Sequence, residues 1–113
     1  MKKSILYLDD EQNLCQIFEE YVALLGDYEV RTFTDVEDAL ESHAQFPSDF
    51  AFIDYRLKDT TGDKLLQNFD ESTETVLVSG ELNLDAIRGF DKTLTKPFML
   101  ADLRAVLSSG SAG

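Results

Sequence analysis

A chain of 113 residues, 43% of them hydrophobic, has room for one domain and enough apolar side chains for a core that needs no disulfide or structural metal. Its net charge of −12, from 22 acids against 10 bases, argues against direct nucleic-acid binding, which requires a basic face. The single cysteine, Cys15, excludes an intramolecular disulfide, and no apolar run reaches the length of a membrane span or a signal-peptide core, so a soluble, cytoplasmic protein is expected.

Strand and helix signals then alternate along the chain. Ile5 to Leu8 is a short continuous apolar run, the pattern of a strand buried on both faces. Between Glu11 and Leu25 the apolar residues recur at spacings of three and four, which predicts a helix stopped at Gly26. Tyr28 to Phe33 alternates and suits a strand nearer a sheet edge. Thr34 to Glu37 matches a capping box, with a helical stripe behind it that closes before Pro47. Phe50 to Ile53 is a second buried run and ends at Asp54. Leu65, Leu66 and Phe69 mark a short helix. Thr75 to Val78 is a third buried run ending at Ser79. A brief helical pattern with Leu82, Ala86 and Ile87 stops at Gly89. Lys92 to Thr95 reads as a short strand, and Phe98 to Leu107 as an amphipathic helix. Five strands alternating with five helices predict an α/β fold, a parallel sheet with helices on both faces.

Ligands of such sheets sit outside the carboxyl ends of the strands. Asp9 and Asp10 follow the first strand, Asp54 the third, Ser79 the fourth and Lys96 the fifth. Singly, each has an ordinary explanation: Asp10 as a helix cap, Ser79 as a turn residue, Lys96 as a solvated lysine. Jointly they make a chemical site. Three neighbouring carboxylates raise one another's pKa unless a cation relieves them, and oxygen ligands of this kind suit Mg2+. A carboxylate can act as a nucleophile toward phosphorus, while Lys96 and Ser79 can contact phosphoryl oxygens.

The set Asp9-Asp10, Asp54 with Leu57 and Gly62, Ser79-Gly80, and Leu94-Thr95-Lys96-Pro97-Phe98 resembles response regulator receiver domains of two-component pathways. The resemblance implies a five-stranded sheet in the order 2-1-3-4-5. It implies a receiver domain over 1–107, with 108–113 as a linker stub or tail. It further implies that Asp54 is the phosphoacceptor and that Asp10 and Asp54 ligate Mg2+ or Mn2+ with Asp9 assisting. The backbone carbonyl of Arg56 would be a further metal ligand, and Ser79 and Lys96 would contact the phosphoryl group. The partner would be a histidine kinase or a histidine phosphotransfer domain, with a downstream protein as target. No membrane insertion, no direct nucleic-acid contact and no enzymatic turnover beyond self-phosphorylation and autodephosphorylation are expected.

Several positions depart from the family's pattern. Lys58 replaces a common proline, from which a looser loop is expected. Thr93 stands where an aromatic usually follows the hydroxyl of Ser79, which weakens the usual switch pair. Only a short span separates Ser79 from Gly89, so the fourth helix should be marginal. An order–disorder change over residues 80–90 is the expected switch. Arg56 and Glu81, two residues past Asp54 and Ser79, are expected to tune the lifetime of the phosphoryl group. Leu82 and Leu84 could face a partner or the core. His43 reads as a helix-surface residue and Cys15 as a half-buried hydrophobe. Two other functions compete with the receiver reading. An aspartate-nucleophile phosphatase of the haloacid dehalogenase type would want an acid where Arg56 stands. A receiver-like scaffold that is never phosphorylated would not need the full acidic set.

Overall fold

The apolar runs become strands and, among the described residues, the three-and-four-spaced stripes become helical segments between them. The computed structural model describes residues 2–80 and 89–108. In chain order the elements are β1 (Lys3–Leu8), α1 (Gln12–Leu25), β2 (Tyr28–Phe33), α2 (Val36–Gln45), β3 (Phe50–Asp54), a 3-10 helix (Gly62–Asn68), β4 (Glu74–Ser79), β5 (Lys92–Thr95) and α3 (Leu100–Ser108). The strands form one parallel sheet in the order β2-β1-β3-β4-β5. The predicted fourth helix, with Leu82 and Leu84, and the tail beyond residue 108 lie outside the described residues. No described helix is long and apolar enough to cross a membrane.

Side chains of a strand alternate between faces, so each central strand feeds two cores. Ile5 and Tyr7 of β1 join Phe18, Val22 and Phe52 under α1 and α3. Leu6 and Leu8 join Ala39, Ile53 and Leu65 under α2 and the 3-10 helix. On the aromatic side, Phe18 is stacked on Tyr7 at 4.1 Å between centroids and tilted against Phe52 at 5.0 Å. In α1 the buried stripe is Cys15, Phe18 and Val22, and Gly26 ends the helix at φ 84°. That left-handed conformation carries little penalty only for glycine.

Four local expectations change. The cap of α2 is Asp35, whose carboxylate accepts the Asp38 N–H at 3.1 Å, and not Thr34. The third helical segment is 3-10 and not α. Its bonds run from Lys64 N–H to Thr61 O and from Phe69 N–H to Leu66 O, the three-residue spacing of a 3-10 turn. The last helix starts at Leu100, because Asp102 reaches back to accept the Met99 N–H at 2.8 Å, leaving Phe98 before the helix as a buried core residue. His43 is buried and not on the surface. Its Nδ1 accepts the Ser48 N–H at 3.2 Å and its ring lies 4.6 Å from that of Phe69, tying the end of α2 to the entry of β3.

Burial holds His43 below the ordinary histidine value of 6.5, with the negative charge of Asp70 opposing that shift. A lowered folded value means that His43 stabilises the protein above its unfolded pKa and loses that contribution as pH falls. Protonation fills the lone pair that accepts the Ser48 N–H. The advantage of wild type over His43→Gln is therefore expected to shrink on acidification. The hydrogen bond is worth about 1 kcal/mol, or roughly 4–8 °C in melting temperature for a domain of this size. Melting curves of both proteins from neutral to mildly acidic pH check this.

Candidate functional site

Three adjacent central strands end at one rim. Asp9 follows β1, and its N–H donates to Phe33 O at 3.0 Å, extending the β1–β2 ladder by one bond. Asp54 is the last residue of β3 and is opposite Val78. Ser79 ends β4 opposite Thr95, and the Lys96 N–H donates to Ser79 O at 2.9 Å. Register alone thus brings residues from four stretches of sequence to one edge. The Lys96–Pro97 peptide is cis.

The Lys96 ammonium lies between two carboxylates, 2.9 Å from Asp9 Oδ2 and 3.0 Å from Asp54 Oδ1. Asp9 is fully buried and Asp54 is 5% exposed, whereas Asp10 is open to solvent. Carboxylate oxygens of Asp9, Asp10 and Asp54 all lie within 4.8 Å of one another. Such an all-oxygen donor set fits a hard divalent cation of the Mg2+ or Mn2+ type. Asp10 does not cap α1. The residue at the cap position is Glu11, whose own N–H donates to Asp9 Oδ1 at 3.0 Å.

Burial pushes the Asp54 carboxyl up to about 6; the hydrogen bond from Lys96 opposes the shift and the charge of Asp9 adds to it. On Lys96, burial works downward, but its bonds to Asp9 and Asp54 outweigh it and leave the ammonium more basic than usual. Lys96 is therefore a permanent cation at this site, and the charged form of Asp54 is penalised by burial.

The loop after Asp54 is pinned rather than loose, despite Lys58. Leu57 N–H donates to Thr60 O at 3.1 Å, Gly62 N–H to Tyr55 O at 2.7 Å, and Arg56 bridges Thr61. Gly62 is required by space: a Cβ there would lie 2.5 Å from Asp54 O and 2.9 Å from Ile53 Cγ2. Arg56 is exposed at the loop with its guanidinium 5.8 Å from the Tyr55 ring centroid. Thr93 is exposed on β5 opposite Leu77, two residues before the partner of Ser79. Glu81, and most of the segment expected to switch, lie outside the described residues.

Sequence reasoning missed the layer beneath the rim. Tyr7 Oη donates to Asp9 Oδ2 at 2.9 Å, and the buried Cys15 thiol donates to Asp9 O at 3.4 Å. Burial beside Asp9 raises the Tyr7 hydroxyl far above its ordinary value and pushes the Cys15 thiol up to about 11, so both remain protonated donors. A signal for Tyr7 was present. It is a polar-tipped residue in an apolar run, two positions before Asp9 and so on the same face of the strand.

Residues 5–108 match the family model described as the response regulator receiver domain. No curated protein sequence matches the chain. Among solved structures, a receiver domain (CheY-like) from Methylobacillus flagellatus is 27% identical, with 96% of this chain and 98% of that chain covered and a TM-score of 0.84. The chemotaxis protein CheY4 of Vibrio cholerae is 21% identical, with the same coverage and a TM-score of 0.85. The response regulator TrrA of Thermotoga maritima, in complex with Mg2+-BeF, is 20% identical over 95% of this chain and 97% of its own, with a TM-score of 0.85.

Two outcomes follow from the geometry. Because the folded Asp54 carboxyl titrates near 6 against an ordinary value of 3.8, the stability tied to its protonated form is complete below 3.8 and lost as pH rises through 6. Asp54→Asn is therefore expected to stabilise the metal-free protein at neutral pH, by at most about 3 kcal/mol, with the gain disappearing in acid. Chemical denaturation in the presence of a chelator at several pH values measures it. Gly62→Ala is expected to destabilise by about 1–3 kcal/mol, since the added methyl meets backbone that cannot yield freely. The same denaturation experiment tests it.

Proposed function

The chain belongs to the response regulator receiver domain family, and we propose that it is a phosphorylation-switched module whose Asp54 accepts a phosphoryl group from a histidine kinase or a histidine phosphotransfer domain. Phosphorylation on aspartate is general to this family. The observation that carries the assignment to Asp54 is the ammonium of Lys96 held between Asp54 Oδ1 and Asp9 Oδ2, beside Asp10. A buried carboxylate can act as a nucleophile toward phosphorus, and the fixed cation beside it is placed to offset the negative charge that the phosphoryl group brings.

In the proposed step an oxygen of Asp54 attacks the phosphorus of a phosphohistidine. The O–P bond forms, the P–N bond breaks, and the leaving imidazole nitrogen keeps the electron pair. Lys96 is close enough to turn from Asp54 to a phosphoryl oxygen and balance the added charge. Ser79, at the end of β4, is the hydroxyl proposed to contact another. Asp10 and Asp54, with Asp9 behind them and the backbone carbonyl of Arg56 beside them, would hold Mg2+ or Mn2+. Such a cation supplies neutralisation of the negative phosphoryl oxygens. The TrrA complex with Mg2+-BeF agrees with this choice of cation.

Arg56 and Glu81 are proposed to govern access of hydrolytic water, and Ser79 with Thr93 to transmit the change. The exposed Arg56 supplies no proton donor of the kind a turnover phosphatase needs two residues after its nucleophile, which favours a switch over an enzyme. A scaffold never phosphorylated would gain nothing from clustering three carboxylates around one lysine. A cytoplasmic setting suits a partner kinase that transfers from phosphohistidine.

Incubation with acetyl phosphate and Mg2+, followed by intact-mass measurement, tests the reading. Wild type is expected to gain one phosphoryl group, Asp54→Asn none, and Lys96→Ala little. A gain that persists in Asp54→Asn, or no gain in wild type with either acetyl phosphate or a phosphorylated histidine phosphotransfer domain, overturns it.

A further inference from the structure

The phosphoryl chemistry above makes no use of Tyr7, yet its hydroxyl is aimed at the site. Tyr7 is fully buried, with its ring stacked on Phe18 at 4.1 Å and its Oη 2.9 Å from Asp9 Oδ2. Asp9 is itself 0% exposed, so no bulk water completes its hydrogen bonding. Its Oδ1 accepts the Glu11 N–H at 3.0 Å, and its Oδ2 is shared by Tyr7 Oη and Lys96 Nζ. The Cys15 thiol fixes the backbone of the same residue through Asp9 O. The carboxylate is thus held from three directions, and only one of those holds, Lys96, belongs to the rim.

A leucine or valine at position 7 would fill the same apolar core. It would leave Oδ2 to Lys96 alone, and the buried carboxylate would follow the lysine whenever the lysine moves. With Tyr7 in place, Lys96 can leave Asp9 without stripping that oxygen of its last donor.

We propose that Tyr7 is a positioning residue for the cation site: its hydroxyl holds the Asp9 carboxylate in the orientation that completes the Asp9, Asp10, Asp54 cluster when Lys96 turns elsewhere. This rests on the reading of that cluster as the Mg2+ site. Outer hydrogen-bond partners of metal-binding carboxylates are known to matter for affinity, typically by about 10–100-fold when removed.

The experiment is an Mg2+ titration of the unphosphorylated full chain, followed by amide chemical shifts. Wild type, Tyr7→Phe and Val22→Ala are compared. Tyr7→Phe keeps the ring and removes only the hydroxyl, and is expected to weaken Mg2+ binding about tenfold. Val22→Ala cuts the same core on α1 without touching Asp9, and is expected to lower the melting temperature with unchanged Mg2+ affinity. As a measurement that needs no variant, the ring resonances of Tyr7 in wild type are expected to move along the same Mg2+ isotherm. Wild-type affinity in Tyr7→Phe overturns the inference, as does equal weakening in Val22→Ala or a Tyr7 resonance indifferent to Mg2+. A wild type that binds no Mg2+ overturns the cation site of the proposed function, and this inference with it.

Discussion

One ammonium group organises this molecule's rim. Lys96 lies within 3.0 Å of carboxylates from two different strands, and both carboxylates are almost completely withdrawn from water. Burying two like charges side by side is unfavourable unless a countercharge with good hydrogen-bond geometry stands between them. Without Lys96, the carboxyl ends of β1 and β3 would repel at the point where the parallel sheet brings them together. With it, the rim is stable enough to fold and still holds more negative charge than one lysine can neutralise. That imbalance is what a divalent cation can resolve, and with such a cation bound the rim can also accept the further negative charge of a phosphoryl group.

The rest of the structure holds these charges in place. Asp54 is set by the β3–β4 ladder on one side and by the close approach of Gly62 on the other. Asp9 is set by α1 through the Glu11 N–H and by the aromatic core through Tyr7. Lys96 is set by one further ladder bond beyond β5, to Ser79 O. Each of these supports is a backbone or buried contact, so little side-chain entropy remains to be lost when a ligand arrives. Asp10 is the exception. It is exposed, free of the buried network, and placed where an incoming cation meets solvent first.

The acidity of the chain acquires a local meaning from this arrangement. The chain carries 22 acids against 10 bases. Among the described residues, Asp9, Asp10 and Asp54 form a cluster, the first and last of them buried and Asp10 exposed. Under the proposed function, a phosphoryl donor would therefore meet a negatively charged rim. Lys96 and a bound cation would be the groups that make it receptive to a phosphate.

Much of this was legible in the sequence because it depends on short-range pattern. Buried apolar runs at Ile5–Leu8, Phe50–Ile53 and Thr75–Val78 can be satisfied only by strands covered on both faces, and helical stripes between them force parallel connections. The positions of Asp9, Asp10, Asp54, Ser79 and Lys96 at strand ends then follow from counting along the chain. The sheet order was implied by resemblance, and the register shows how it brings those ends together. What sequence could not decide were choices settled by contacts that form only in the folded chain, some between near neighbours and some between distant ones. Asp35 rather than Thr34 caps α2, and the segment after Gly62 winds as a 3-10 helix. His43 is buried because Ser48 and Phe69 close over it. The loop through Lys58 is firm because cross-loop backbone bonds hold it without proline. Above all, the two hydrogen bonds that Asp9 Oδ2 accepts, from Tyr7 below and Lys96 above, join residues 89 positions apart in the chain. Local propensity carries no information about such a contact. It exists only once β1 and β5 end at the same edge and exclude water from the carboxylate between them.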